Sequence, residues 1–439
     1  MGKLLRTGLN AGSEAPRVVG GEGVYFHLGD GRKVLDASNT GGPLGHAHPR
    51  MVAAIRDAAS MPVVNEGWSW LGRDKAADDL FEIGFTGEEG WAGAVRFCIS
   101  GSEANDIALC LSQALTGRKA VATRERAYHG LVGLSRDVTV QPQWHGGLAA
   151  PNGGTRVPPG GAPIHVLPAP TGALYLAGAG DGHATDLSQH LAGAPAKLAQ
   201  SAAVIIDYTQ GGFYHDGAYQ DAVAGHARQA GALWIADEMV TGLGRAGRAF
   251  AFQGGTSRPD IVTMGKGLGG GAISVAAVVL SKDIAAGLEG KSWQNYGTLR
   301  GHPIAMAAIS ACLATLRAEG LLDHVRALEA LYARRLREIA ARHPSVSRVA
   351  GQGLHWTIEL HGPDWRNWFA DTIEAPIASR VAADAMARGA VIGTSGEQVS
   401  LFLAPPLIIS AAESERLLSI LDESLALADH EHAALSEGA

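Results

Sequence analysis

The feature that most constrains this chain is a succession of short, almost wholly apolar runs separated by stretches with helical spacing. "VRFCIS" gives way to "EANDIALCLSQALTG" and then "KAVATRE"; "AAVIIDY" leads through "YQDAVAGHARQAG" to "ALWIADEM", and "DIVTMGK" and "ISVAAVVLS" follow. Successive side chains of a strand point to opposite faces, so a strand apolar at every position has to be covered on both sides. Such strands, joined by helices, predict an α/β architecture with a mostly parallel sheet between helical layers.

The flanks have a different texture. Near the N-terminus "GGEGVYFHLGDGRKVLDAS" alternates apolar and polar residues around "GDGR", the pattern of a β-hairpin, and Pro49 opens a helix at about residues 49–59. After residue 302 the spacing turns helical through "HPIAMAAISACLATLRAEG" and "LLDHVRALEALYARRLREIAARHP". The tail returns to strand patterns ("VSRVAG", "LHWTIELHG", "VSLFLAPPL") before a last helix. These segments predict a small α+β domain assembled from both ends of the chain, residues 1–60 and 326–439, around a large domain at 61–325. Residues 141–185, rich in Gly and Pro, read as a long excursion.

Composition narrows the function classes. A net charge of -7 without any basic run leaves no electrostatic footprint for nucleic acid or an anionic membrane. The longest apolar runs fall far short of the roughly 20 residues of a membrane helix. The stretch "MGKLLRTGLNAGSEAPRVVGG" lacks the apolar core of a signal peptide, so a cytoplasmic enzyme is expected. Three cysteines, Cys98, Cys110 and Cys312, are too scattered for a disulfide framework and sit in apolar surroundings that predict buried thiols.

One lysine, Lys266, lies in a glycine-rich turn between two of the apolar runs, "DIVTMGKGLGGGAISVAAVVLSKD". "GKGLGG" satisfies a dinucleotide fingerprint, but a strand-like run follows where that motif needs a helix to receive the pyrophosphate. It is not a P-loop either, because Gly267 stands where Ser or Thr should hold Mg²⁺. A third chemistry fits: a lysine amine forms Schiff bases with carbonyls, including that of pyridoxal phosphate (PLP). That cofactor needs a carboxylate against its pyridine nitrogen, backbone donors for its phosphate and an aromatic face over its ring. Asp237 ends the run "LWIADEM" on the sheet edge where open α/β folds bind ligands, and Lys266 follows one strand later. "CISGSEAND" passes from strand through Gly101 and Ser102 into a helix, either offering free N–H groups to an anion or forming a capping box with Ser102 at the N-cap. "ERAYHG" supplies Tyr128 beside His129.

In combination and order these motifs resemble those of class III aminotransferases, fold type I PLP enzymes that include many ω-aminotransferases. The likeness runs from "GDGRKVLDAS" and "LGHAHP" through "SGSEAND", "YHG", "DEMVTGLGRAG", "PDIVTMGKGLGGG" and "GTLRGHP" to "APPLIIS". It implies a seven-stranded sheet in the large domain, PLP as cofactor, and an active site shared between the subunits of a homodimer. Lys266 is then the Schiff-base lysine and Asp237 the partner of the pyridine nitrogen. Gly101 and Ser102 hold the phosphate, Tyr128 beside His129 stacks on the ring, and Met239 covers the opposite face. Thr298 is implied as the phosphate ligand contributed by the neighbouring subunit. No metal is implied: His46 and His48 lack a third ligand at suitable spacing, and their motif reads as structural.

The sequence departs from the family where a substrate carboxylate is usually read. Phe402 in "SLFLAPPL" and Gly212 in "DYTQGGFY" stand at the positions of an arginine and a glutamate, and Asp207 and Tyr208 replace the family's "EP". Without the guanidinium an α-carboxylate loses bidentate recognition, unless Arg300 or Arg73 substitutes. Trp68 and Trp70, spaced to point the same way on a strand, suggest either an aromatic substrate pocket or interface packing. The expected activity is ping-pong transfer of an amino group to a 2-oxo acid, pyruvate or 2-oxoglutarate, from an amine, an ω- or β-amino acid or a bulky aromatic or apolar donor. Racemase, aminomutase and decarboxylating chemistries share the same motifs, whereas a non-catalytic scaffold would be free to lose Lys266 or Asp237.

Overall fold

The structure is a computed structural model that describes residues 17–62, 64–141, 148–149, 155–156, 160–170, 175–176, 186–212, 214, 217–361, 376–395 and 400–437. At its centre is a seven-stranded sheet in the order Ala92–Cys98, Ala276–Ser281, Ile261–Met264, Leu233–Asp237, Ser201–Asp207, Ala120–Arg124, Ile164–Leu167. Ala276–Ser281 runs antiparallel to both of its neighbours, and the remaining pairs are parallel. The wholly apolar runs explain this arrangement, since alternate residues divide between two cores. Ala203, Ile205 and Ile235 pack with Ile107, Ala108 and Leu111 of the helix Gly101–Thr116. Val204, Ile206, Trp234 and Ala236 share the opposite core with Tyr219, Val223 and Ala227 of the helix Gly217–Ala230. Each of the fully buried Val, Leu and Ile side chains among these contributes about 1.5–3 kcal/mol, so both faces of the sheet stabilise the fold.

The excursion expected over 141–185 is corrected in part. Ile164–Leu167 leaves it to become the edge strand beside Ala120–Arg124, while most of the rest of it lies outside the described residues. A short apolar run inside a Gly/Pro-rich stretch is a weak signal until a strand is present for it to pair with.

A second sheet has eight strands: Val18–Glu22, Tyr25–Leu28, Lys33–Ala37, Ala390–Thr394, Ser400–Leu403, His355–Leu360, Val346–Gln352 and Tyr175–Leu176. The hairpin at "GDGR" is formed, with Tyr25 opposite Leu35 and His27 opposite Lys33. Lys33–Ala37 then pairs in parallel with Ala390–Thr394, so the two ends of the chain share one sheet. Tyr175–Leu176 brings a middle segment to its far edge, and the helix Leu321–Arg342 runs through position 326 without a break. Arg245, 2% exposed, ties distant segments together by donating to the carbonyls of Asn39 at 3.4 Å, Leu354 at 3.1 Å and Pro405. Cys98 and Cys312 are buried, but Cys110 is exposed, because apolar neighbours in sequence do not set which side of a helix faces the core. No single described helix is long and apolar enough to cross a membrane.

Candidate active site

Leu233–Asp237 and Ile261–Met264 lie side by side with Asp237 opposite Thr263, so the turn after Met264 returns Lys266 to the edge at which Asp237 ends its strand. Lys266 itself takes φ 37°, a left-handed conformation that is costly for a residue with a side chain and that clusters at functional positions. The turn closes tightly: a Cβ on Gly271, φ 77°, would lie 2.7 Å from the Cα of Gly42. Lys266, Asp237, Gly101, Ser102, Tyr128, His129 and Met239 all line one cavity.

Asp237, 3% exposed, is held from three directions. Its Oδ2 accepts from Asn105 Nδ2 at 2.8 Å and pairs with His129 Nδ1 at 2.7 Å, and its Oδ1 accepts from the backbone N–H of Met239 at 3.0 Å. Asn105 is fixed in turn by Thr263 Oγ1 at 2.6 Å and donates to the carbonyl of His129 at 2.7 Å. The opposite ring nitrogen of His129 meets Thr123 Oγ1 at 3.0 Å. Locked second partners of this kind hold a carboxylate in one orientation, which a charged ring nitrogen facing it requires.

Lys266 is accessible to solvent through the open cavity. Partial desolvation among the cavity walls pushes its pKa below the ordinary lysine value, against the opposing carboxylates of Asp237 and Asp207. Asp207 accepts from Arg124 Nη2 at 2.5 Å and from the backbone N–H groups of Thr209 and Gln210 at 3.2 and 2.9 Å. Burial raises its carboxyl, but the Arg124 guanidinium, with His129 and those N–H groups, outweighs it and holds Asp207 below the usual value. Arg124 also donates to the carbonyls of Asp207 and Gln210, so the strand end that departs from "EP" is a turn built around a buried ion pair.

The helix Gly101–Thr116 points its N-terminus into the same cavity. Its N-cap is Ser100, not Ser102: Ser100 Oγ accepts from Glu103 N at 3.2 Å while Glu103 Oε2 accepts from Ile99 N at 2.8 Å. This arrangement closes before Gly101, with Glu103 reaching back past the N-cap to the N–H of Ile99. It leaves the N–H groups of Gly101 and Ser102 without a partner among the described residues, at the positive end of a helix of 16 residues. A Cβ on Gly101 would lie 2.6 Å from Met239 Sδ, so the glycine keeps the approach open. Tyr128 is half-buried; burial raises its phenol, and the charge of Asp237 adds to the rise.

Other expected residues lie elsewhere. Thr298 is exposed and outside this cavity. Trp68 and Trp70 are not on a strand, because the chain bends after Gly67 and enters the helix Leu71–Asp79; Trp68 is 70% exposed while Trp70 packs over Gly72. Neither candidate arginine reaches the cavity. Arg300 is taken by Glu103 at 2.8 and 2.6 Å, and Arg73 by the carbonyls of Trp68 at 2.9 Å and Glu66 at 3.2 Å. His46 and His48 each face a carboxylate, Asp36 and Glu319, at 3.3 Å. Gly212 and Phe402 do come together: a Cβ on Gly212, φ 71°, would lie 2.9 Å from Thr357 Cγ2, and Thr357 is the cross-strand partner of Phe402. Asn105, Arg124, Tyr214 and His355 were not singled out by sequence, although Asn105 stands one helical turn after Gly101 within "SGSEAND".

A lysine and a carboxylate on one edge of a mostly parallel sheet, beside a helix start with free N–H groups, match the three demands of PLP: covalent attachment, a partner for the pyridine nitrogen and an anion cradle. The fold and site define a fold type I PLP enzyme. The chain belongs to the family described as "Aminotransferase class-III", whose sequence profile matches residues 11–425, and it is a PLP-dependent transaminase. It is 29% identical to an acetylornithine aminotransferase of Mycolicibacterium smegmatis, over 94% of each chain. It is 28% identical to ethanolamine-phosphate phospho-lyase homolog 1 of Caenorhabditis elegans, over 92% of this chain and 87% of that one. Among solved structures, an S-selective transaminase from Arthrobacter sp. with alanine bound superposes with a TM-score of 0.86 at 27% identity, covering 97% of this chain and 96% of the other.

Proposed function

We propose that the chain acts as a homodimer that moves an amino group from an amine or an ω- or β-amino acid, with an apolar or aromatic body, to a 2-oxo acid. The observation that carries this reading is the charge of the site. Lys266 is the one basic side chain among the described residues lining the cavity, apart from the imidazole of His129; the family's arginine position is Phe402, and Arg348, whose Nη2 lies 3.5 Å from where a Cβ on Gly212 would be, is paired with Glu359. A donor bearing an α-carboxylate or a phosphate, as the name of the C. elegans relative implies for that protein, would find no arginine there to receive it.

PLP, when bound, supplies the electron sink that lets the bond to the donor's Cα hydrogen break. The chain's own residues do the rest. Asp237 would hold a proton at the pyridine nitrogen, its bonds to Asn105 and His129 keeping its carboxylate oriented. Gly101 and Ser102 would bind the phosphate through their N–H groups, with Tyr128 and Met239 on either side of the ring. Lys266 would carry the covalent attachment, and its amine, less basic than a free lysine when released, would take the proton from the donor's Cα and return it to the cofactor-side carbon.

Exposed apolar side chains support a shared active site. Trp68 and Leu71 are 70% and 85% exposed, and Tyr296 and Leu299, which flank Thr298, are 59% and 54% exposed. The two segments touch, with Gly297 N donating to Glu66 Oε2 at 2.7 Å, so these side chains belong to one region of surface. The test is a half-reaction screen in which amines and amino acids are mixed with the holoenzyme and conversion to the aminated cofactor is followed by absorbance. Amines without an α-carboxylate should convert the cofactor, and pyruvate or 2-oxoglutarate should restore it. Lys266→Ala should still bind PLP but show no turnover. Isomerisation of the amine with no acceptor consumed would refute transfer.

A further inference from the structure

One flank of the Lys266 cavity carries a hydroxyl that the assigned site does not use. The strands Ala92–Cys98, Ile261–Met264, Leu233–Asp237 and Ser201–Asp207 all run the same way, because Ala276–Ser281 is antiparallel to both strands that enclose it. Their C-terminal ends therefore share one edge. In spatial order they deliver Gly101 with Ser102, then Lys266, then Asp237, and last Asp207 with Thr209. The helix start and Thr209 stand at opposite ends of this row, and all of these residues line the same cavity.

Thr209 is 3% exposed, and its backbone is fixed on both sides: its N–H donates to Asp207 Oδ1 at 3.2 Å, and its carbonyl accepts from the N–H of Gly212 at 3.2 Å. Its Oγ1 has no partner among the described residues, yet it is not sealed from solvent. A buried hydroxyl in a ligand cavity forgoes a hydrogen bond unless the ligand supplies one. The neighbouring groups are already committed. Asn105 Nδ2 gives its two hydrogens to Asp237 and the carbonyl of His129, and Tyr208 donates to Gln220 Oε1 at 3.1 Å. Asp207, paired with Arg124, can only accept.

The covalent structure of PLP decides what such a hydroxyl would meet. On the pyridine ring the phosphate arm lies on one side of the carbon that bonds to Lys266, and the phenolic oxygen lies on the other. With the ring nitrogen at Asp237 and the phosphate at Gly101 and Ser102, that oxygen turns toward the end of the row where Thr209 stands. We propose that Thr209 is a cofactor-contacting residue whose hydroxyl donates to the phenolic oxygen of PLP. The donor stabilises negative charge on that oxygen and so weakens its hold on the proton of the nitrogen joined to Lys266. The proposal rests on the placement of PLP given above and not on the choice of amino donor.

The test titrates the holoenzyme with pH and compares Thr209→Val and Thr209→Ser with the wild type. The visible absorbance of the bound cofactor follows the proton on the nitrogen at Lys266, and in Thr209→Val its midpoint should rise by about half a unit to one unit. Thr209→Ser keeps the hydroxyl and should stay close to the wild-type midpoint. The other titratable groups lining the cavity, Asp207, Asp237, Tyr128, Tyr208 and His129, are common to all three proteins. A second measurement titrates the cofactor-free proteins with PLP and with 3-deoxypyridoxal phosphate, which lacks the oxygen. The preference of the wild type for PLP should exceed that of Thr209→Val by about threefold to tenfold. An unchanged midpoint in Thr209→Val, or an equal change of affinity for both cofactors, overturns the proposal. A midpoint that moves in Gln210→Leu but not in Thr209→Val gives the contact to Gln210 and overturns it as well. If the wild type shows no absorbance that titrates, the attachment at Lys266 fails instead, while the comparison of the two cofactors still reports on Thr209.

Discussion

At the scale of single residues, burial and charge pull against one another at Lys266 and at Asp207. Below the lowered pKa of Lys266 both folded and unfolded chains carry its proton, and the fold bears the cost of a partly desolvated ammonium; above 10.5, the ordinary lysine value, neither carries it. Stability of the cofactor-free protein should therefore rise with pH across that window, and Lys266→Met should flatten the rise, as thermal melts of both proteins at a series of pH values would show. Arg124 and Asp207 form a pair whose side chains are 0% and 7% exposed. Arg124→Met strands a buried carboxylate and should cost about 3–5 kcal/mol in urea unfolding, with part recovered by adding Asp207→Asn. Lys266 and Asp237 were legible because a covalent amine and a strand-end carboxylate are distinctive in sequence. Arg124 was not, because an arginine in "KAVATRE" looks the same whether it faces solvent or an acid brought near by a parallel neighbour.

At the scale of elements, the anion cradle proposed for the cofactor's phosphate depends on how one helix begins. Ser100 caps the helix and Glu103 clasps the N–H of Ile99, so the residues that line the cavity at the helix start are Gly101 and Ser102. Gly101→Ala places a methyl against Met239 and should weaken PLP binding roughly tenfold or more, on the scale of 1–3 kcal/mol for overpacking. Gly101→Ala with Met239→Ala should regain only part of that affinity, because relieving the clash also removes the side chain that covers one face of the ring; fluorescence titration with PLP measures both. The motif "SGSEAND" marked a helix start, but its capping reading put Ser102 at the N-cap, where the structure has Ser100. The choice falls on the serine whose backbone leaves the strand in an extended conformation, φ -150° and ψ 156°, and a one-residue shift of that kind follows from the geometry of the turn. Trp68 and Trp70 failed as a strand for a related reason: alternation of two residues is too short a pattern to resist the helix start at Leu71.

At the scale of the molecule, both ends of the chain are needed to build the second sheet. The exposed apolar region around Trp68, Leu71, Tyr296 and Leu299 should be covered by a second copy. Leu299→Asp should shift the protein from dimer to monomer in sedimentation and, by removing Thr298 of the other chain from reach, lower PLP affinity and turnover together. A monomer with full activity would show that one chain completes its own site.

Local pattern determined what this protein is made of. Unbroken apolar strands separated by helices required a sheet covered on both faces, and the order of a few motifs along it pointed to a lysine, an aspartate and a helix start. Those features depend on neighbours within a few residues, and sequence records such neighbours directly. Tertiary structure decided the contacts between residues far apart in the chain. It turned Arg124 toward Asp207, brought Gly212 against Thr357, and set His355 between Phe402 and Tyr214. Distances of that kind are fixed only when strands from opposite ends of the chain take their register, because a shift of one residue would turn each of those side chains to the other face.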